Sequence, residues 1–134
     1  MFPPEANVEI SQVHPRALAY LGDAVYELWV RTRAIQQVQS NQSEAFHEFG
    51  IRHANAQYQG DLLTRWEPHL SAGEADIVRR ARNVSVSRGR RSDHNAHRVA
   101  SAFEALVGYL YLTDRDRLAA LLAMDGAASA AEND

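Results

Sequence analysis

Apolar residues recur along this chain with a helical rather than a strand period. Pro15 is placed as a first-turn helix residue, and the stretch from Arg16 to Val38 carries Leu18, Leu21, Val25, Leu28 and Trp29 on nearly every side of the predicted helix. A helix that is apolar over most of its circumference is usually buried, which predicts a central position for this one. Its one polar strip runs through Arg16, Tyr20, Asp23, Glu27 and Arg31, at spacings of three and four. The glutamine-rich segment from Gln36 to Gln42 reads as a connection. Ser43 is placed to cap a second helix that continues to about Trp66 and is closed by Pro68. Ser71 and Glu74 form a capping box that opens a third helix, ending near Asn83.

From Val84 to Ala96 the periodicity lapses and serine, glycine and arginine take over, so a loop is predicted, with two or three residues of strand available around Val84 and Val86. A helix from about His97 to Leu112 and a short one from about Asp114 to Met124 follow. The remainder, small and acidic from Gly126 to Asp134, is expected to fray. The pattern predicts one all-α domain of about five to seven helices over residues 1–124, followed by a tail over 125–134, with no internal repeat.

Composition narrows the chemistry. The 134 residues include no cysteine, which excludes a disulfide framework, a thiolate metal site and a cysteine nucleophile, and suits a reducing cytoplasm. The first dozen residues lack a charged n-region and an apolar h-region. The longest apolar run, from Val99 to Leu112, is interrupted by Glu104 and falls short of the roughly 20 residues of a bilayer span, so a soluble, cytoplasmic protein is expected.

The net charge of −3 argues against a nucleic-acid partner until its distribution is considered. All 14 cationic residues are arginine, and between Arg79 and Arg98 seven of them face a single acid, Asp93, so this window nets +6 and the remainder −9. Guanidinium forks suit phosphate oxygens, and a basic segment flanked by helices can follow a nucleic-acid backbone without selecting a sequence. Pairing with neighbouring acids would also account for the arginines, and both readings stand at this point.

Two carboxylates are singled out by their surroundings. Asp23 follows Gly22, a helix-interior glycine that costs roughly 1 kcal/mol relative to alanine and therefore suggests close approach of another backbone or a ligand. A solvated face bearing a Glu27–Arg31 pair explains Asp23 equally well. Glu104 stands among Ala100, Ser101, Ala105 and Gly108, a strip of small residues that permits close helix packing. If Glu104 faced Asp23 across a helix crossing, a divalent cation would resolve the like-charge pair. His94 and His97 are read as solvent-facing or phosphate-contacting rather than metal-binding, and His14, His47, His53 and His69 lack ligand spacing. No nucleophile elbow, phosphate-cradling glycine loop or dinucleotide fingerprint is present.

The block from Leu18 to Glu27, Leu-Ala-Tyr-Leu-Gly-Asp-Ala-Val-Tyr-Glu, resembles the signature helix of the ribonuclease III endonuclease domain, and Phe103-Glu104-Ala105-Leu106-Val107-Gly108-Tyr109-Leu110 resembles its second metal-binding helix. The small size and Arg79-Arg80-Ala81-Arg82-Asn83 resemble the subclass called Mini-ribonuclease III, which has no double-stranded-RNA-binding domain. The resemblance implies catalysis and metal binding by Asp23 and Glu104, with Mg²⁺ as cofactor and Mn²⁺ as a substitute. Larger family members carry two further acids, at positions occupied here by Ala19 and Ser101. It further implies a homodimer that cuts both strands of duplex RNA to 5′-phosphate and 3′-hydroxyl ends. The implied substrate is a precursor 23S (large-subunit) ribosomal RNA stem, with a ribosomal protein assisting. RNA contact is expected from Arg79, Arg80, Arg82, Asn83, Arg88, Arg90, Arg91 and Arg98. Tyr20, Trp29, Phe46 and Phe49 appear in excess of what a small core must bury, which also favours a dimer. A non-catalytic duplex-RNA-binding dimer of the same fold is the alternative suggested by Ala19 and Ser101.

Overall fold

A computed structural model describes residues 2–39, 41–84 and 91–133, with side chains described outside 91–94 and 125–133. Its elements are α1 (Pro15–Gln37), α2 (Ser43–Ala54), α3 (Ala56–Trp66), α4 (Ala72–Val84), α5 (Arg91–Thr113) and α6 (Arg115–Asn133). Short 3-10 turns, Ile10–Gln12 and Glu67–His69, precede α1 and follow α3. No strand occurs among the described residues, as the helical periodicity predicts.

The centre of the fold is α5 rather than α1. Ala102, Phe103, Ala105, Leu106 and Val107 are completely buried, and α5 packs against α1, α3, α4 and α6. α1 buries a single stripe, Leu18, Gly22, Tyr26, Val30 and Ala34, and leaves Tyr20, Leu28 and Ile35 exposed. Its nearly all-round apolar character therefore exceeds what one copy of the chain covers. Of the four aromatic residues expected in excess, Phe49 belongs to the core, Trp29 and Phe46 are half-buried, and Tyr20 is 85% exposed.

Local sequence explains most boundaries. Pro15 opens α1 behind His14, whose ring nitrogen accepts the Arg16 N–H at 3.0 Å. The capping box forms as predicted: Ser71 N–H donates to Glu74 Oε1 at 2.8 Å, and Glu74 N–H donates to Ser71 Oγ at 3.2 Å. The helix predicted from Ser43 to Trp66 is in fact two, broken at Asn55. This residue is extended, its Oδ1 accepts the Tyr58 N–H at 2.8 Å, and its Nδ2 donates to the Ile51 carbonyl at 2.8 Å. An asparagine that satisfies both flanking helix ends competes with continuation of the helix.

The loop prediction is corrected at both ends: Val84 belongs to α4 and to no strand, and residues 91–96 belong to α5, while residues 85–90 lie outside the described ones. Val86 lies outside the described residues. The segment predicted as a tail, 125–134, carries the helical backbone of α6 to Asn133. No helix of the structure is long and apolar enough to cross a membrane, among the described residues.

Candidate functional site

The site begins with two glycines. α1 and α5 cross where Gly22 meets the backbone of Glu104 and Gly108 meets the backbone of Leu18. A Cβ on Gly22 would overlap the Glu104 carbonyl oxygen and stand 2.8 Å from the Gly108 nitrogen, and a Cβ on Gly108 would overlap the Leu18 carbonyl oxygen. The close approach expected from a helix-interior glycine and from the small-residue strip around Glu104 is this backbone-on-backbone crossing.

The crossing sets the chemistry one residue further on. Asp23, on the exposed edge of α1, is brought into hydrogen-bond contact with the half-buried Glu104 of α5. Burial pushes the Glu104 carboxyl up to about 8, and the hydrogen bond to Asp23 and the charge of Asp23 add to the rise. The Glu104 carboxyl thus favours its protonated form into the neutral range, with Asp23 opposite it. Ala19 lies four residues before Asp23 and Ser101 three before Glu104, which places each on the same helix face as its acid. Both are half-buried and neither adds charge.

The donor set suits a hard divalent cation. Metal binding requires deprotonated carboxylates and releases the proton held by Glu104, and magnesium is commonly bound by one or two carboxylates plus water and substrate phosphate rather than by a complete protein cage. Among the described residues, no group of three or more histidine, aspartate or glutamate side chains is placed to hold a metal.

The arginines divide between pairing and availability. Arg79 donates to Asp76 at 2.6 Å and Arg82 to Glu67 at 2.9 Å, so part of the positive charge is neutralised locally. Arg98 donates from Nε to the Arg82 carbonyl at 3.2 Å. Asn83 is exposed and Arg80 half-buried. Arg88 and Arg90 lie outside the described residues; Arg91 begins α5, and its side chain is likewise outside them. His97 is exposed, whereas nothing of the His94 side chain is described.

The ribonuclease III domain model matches residues 16–115, which include both glycines, both acids and the described arginines between them. The chain belongs to the ribonuclease III family. It is 45% identical to Mini-ribonuclease 3 of Gloeobacter violaceus over 86% of this chain and 84% of that one. Identity to Mini-ribonuclease 3 of Synechococcus sp. is 43%, over 83% of this chain and 79% of that one. A crystal structure of a Fusobacterium nucleatum protein superposes with a TM-score of 0.77, covering 87% of this chain and 97% of its own at 24% identity, and shares the fold. Membership in the family makes the protein an endoribonuclease.

Residues that sequence reasoning did not single out also shape the ribonuclease III domain. Arg117 of α6 forms a two-point contact with Glu74, Nε to Oε2 and Nη2 to Oε1, each at 3.0 Å, and Nη2 also donates to the His69 carbonyl at 2.6 Å. Arg33 is buried and stacks over Trp29 at 4.6 Å from the ring centroid. The capping box signalled Glu74, but a partner 43 residues away leaves no local trace.

Proposed function

We propose that this endoribonuclease acts on double-stranded RNA with Asp23 and Glu104 as catalytic and metal-binding residues and Mg²⁺ as the cation. The observation that supports this reading is the contact between two acidic side chains at a glycine-mediated helix crossing. A divalent cation held there would lower the pKa of a bound water and neutralise charge developing on the scissile phosphate. Asp23, at the exposed edge, orients toward solvent and substrate. Glu104, backed by α5, supplies a fixed carboxylate whose proton must leave before a metal binds.

We infer a homodimer, because a duplex cut on both strands needs two acid pairs. The exposed Tyr20, Leu28, Ile35 and Ile51, together with a groove of about 750 Å³ between α1 and α2 lined by Val30, Ala34, Phe46 and Ile51, supply apolar surface for it. We further infer a substrate stem in precursor 23S ribosomal RNA, cut to 5′-phosphate and 3′-hydroxyl ends in the cytoplasm, as the resemblance of the Leu18–Glu27 and Phe103–Leu110 blocks implies. A ribosomal protein that shapes the stem is the proposed assisting partner.

Incubation of the purified protein with a ribosomal RNA stem and Mg²⁺, beside Asp23→Asn and Glu104→Gln, tests the reading. Cutting by the unmodified chain alone supports it. Binding without cutting assigns the chain to non-catalytic duplex binding, and absence of both removes RNA as the ligand.

A further inference from the structure

A second concavity, of about 290 Å³, lies between α4 and α5, away from the acid pair. Its walls include Glu67, Val78, Arg79, Arg82, Asn83 and Arg98. Arg79, Arg82 and Asn83 reach it together because residues three and four apart share one face of α4. Arg98 enters from α5, six residues and about 9 Å of helix before Glu104. Its Nε bond to the Arg82 carbonyl holds it in place, while its terminal nitrogens make no bond among the described residues.

Arg82 shows what this pocket lacks. Its Nη2 donates to Glu67, in a pair whose side chains are 38% and 43% exposed, yet its Nε is buried with no hydrogen-bond partner among the described residues. A buried N–H left without an acceptor keeps its full desolvation penalty, and such groups are rare enough in folded proteins to require an explanation. The pocket thus presents an arginine with one acceptor satisfied and one missing, beside a second arginine with unused donors. An oxyanion with several oxygens, read by guanidinium forks, supplies what is absent.

Glu67 already occupies one of those acceptor positions. A half-exposed ion pair is weakened by solvent screening and by the entropy of holding two long side chains, so its carboxylate is readily exchanged for a stronger anion. We propose that the Arg82–Arg98 pocket binds a backbone phosphate of duplex RNA, and that Glu67 is the resident anion this phosphate displaces from Arg82. The inference rests on the double-stranded-RNA reading above and adds a contact outside the acid pair. Glu67 makes each encounter compete with an internal carboxylate, which weakens binding of isolated anions and of product relative to a duplex engaged at several points.

Anisotropy of a labelled RNA duplex, measured without divalent cation over a range of KCl concentrations, tests the pocket. Arg82→Gln is expected to weaken binding about fivefold and to reduce the salt slope by about one phosphate contact. Glu67→Gln removes the competitor and is expected to tighten binding about threefold, whereas Glu44→Gln, the same charge change on the remote α2, moves it less than about twofold. Circular dichroism melting confirms that each variant is folded, and Glu67→Gln tests the pocket even if Arg82→Gln is not. Arg82→Gln binding with the unmodified salt slope, or Glu67→Gln no tighter than Glu44→Gln, overturns the pocket alone. Failure of the unmodified chain to bind duplex RNA overturns the pocket together with the reading on which it rests.

Discussion

Glu74 and Glu104 are both withdrawn from solvent, and they titrate in opposite directions. Glu74 sits at the start of α4 with its carboxylate enclosed by donors, two from Arg117 and one from the Ser71 backbone. The hydrogen bond from Arg117 is the main cause holding its carboxyl below the usual glutamate range. Glu104 sits at the middle of α5 against another carboxylate, and burial together with Asp23 pushes it up to about 8. Burial is common to both, so the partner decides the role. The first acid is spent on joining α4 to α6, and the second is left with an unmet demand for positive charge.

The largest expected separation between them is in turnover. Asp23→Asn and Glu104→Gln should each lower the cleavage rate at saturating Mg²⁺ by at least about 10³-fold, because metal-assisted charge stabilisation supplies several kcal/mol to the transition state. Glu74→Gln should leave the rate per folded molecule within about threefold, since its partners belong to the scaffold. Single-turnover assays on one duplex substrate measure both, and a large loss in Glu74→Gln would erase the distinction.

Stability against pH should also run in opposite directions. A folded-state pKa raised from 4.5 to about 8 means that the native Glu104 retains a proton the unfolded chain has lost, so metal-free stability falls as pH rises through that window. At about 1.4 kcal/mol per unit the loss amounts to a few kcal/mol, and Glu104→Gln should remove most of it. Mg²⁺ should remove it too, by taking the place of the proton. Glu74 behaves conversely: its contribution is present above its unfolded pKa and is lost as pH falls through its lowered native value. Thermal melts from pH 3 to 9, with and without Mg²⁺, read both slopes.

Next in size is the loss from cutting the α4–α6 link itself. Glu74→Ala removes a capping-box acid and strands the Arg117 guanidinium, which is one-third exposed, so a destabilisation of about 3 kcal/mol is expected. Urea denaturation should show it as a lower midpoint at unchanged slope. A change below about 1 kcal/mol would mean that solvent replaces Arg117 as a partner without penalty.

How much of this was legible in the sequence follows the range of each interaction. Pro15, Ser71 and Glu74 act within a few residues, and their roles at helix starts were readable. Gly22 and the small residues around Glu104 announced a close crossing on each helix, although the pairing of the two helices is a tertiary fact. Asn55 was missed because its cap competes with a continuous apolar pattern on both sides. The burial ranking of α1 and α5 was inverted because apolar periodicity records which faces prefer to be covered, not whether this chain alone covers them. Arg117 and Glu67 were invisible for a simpler reason: an ion pair across 43 or 15 residues has no local signature.

The smallest effect expected here, Gly22→Ala, tests whether the crossing alone makes Glu104 unlike Glu74. The added methyl meets main chain on α5, the Glu104 carbonyl and the Gly108 nitrogen at 2.8 Å, so no side-chain rotation relieves the overlap. Overpacking of this kind costs about 1–3 kcal/mol, and alanine's better helix propensity returns up to about 1, which leaves a net loss of about 2. To accommodate it, α1 and α5 must separate, and Asp23 withdraws from Glu104. The Glu104 carboxyl should then titrate lower as water and distance weaken both causes of its rise, while Glu74, held by Arg117 and Ser71 away from the crossing, should not move. Carboxyl chemical shifts followed against pH distinguish the two sites in one experiment. If Glu104 in Gly22→Ala still titrates near 8, burial within α5 is sufficient by itself, and the two glutamates differ through their depth and not through the acid placed opposite.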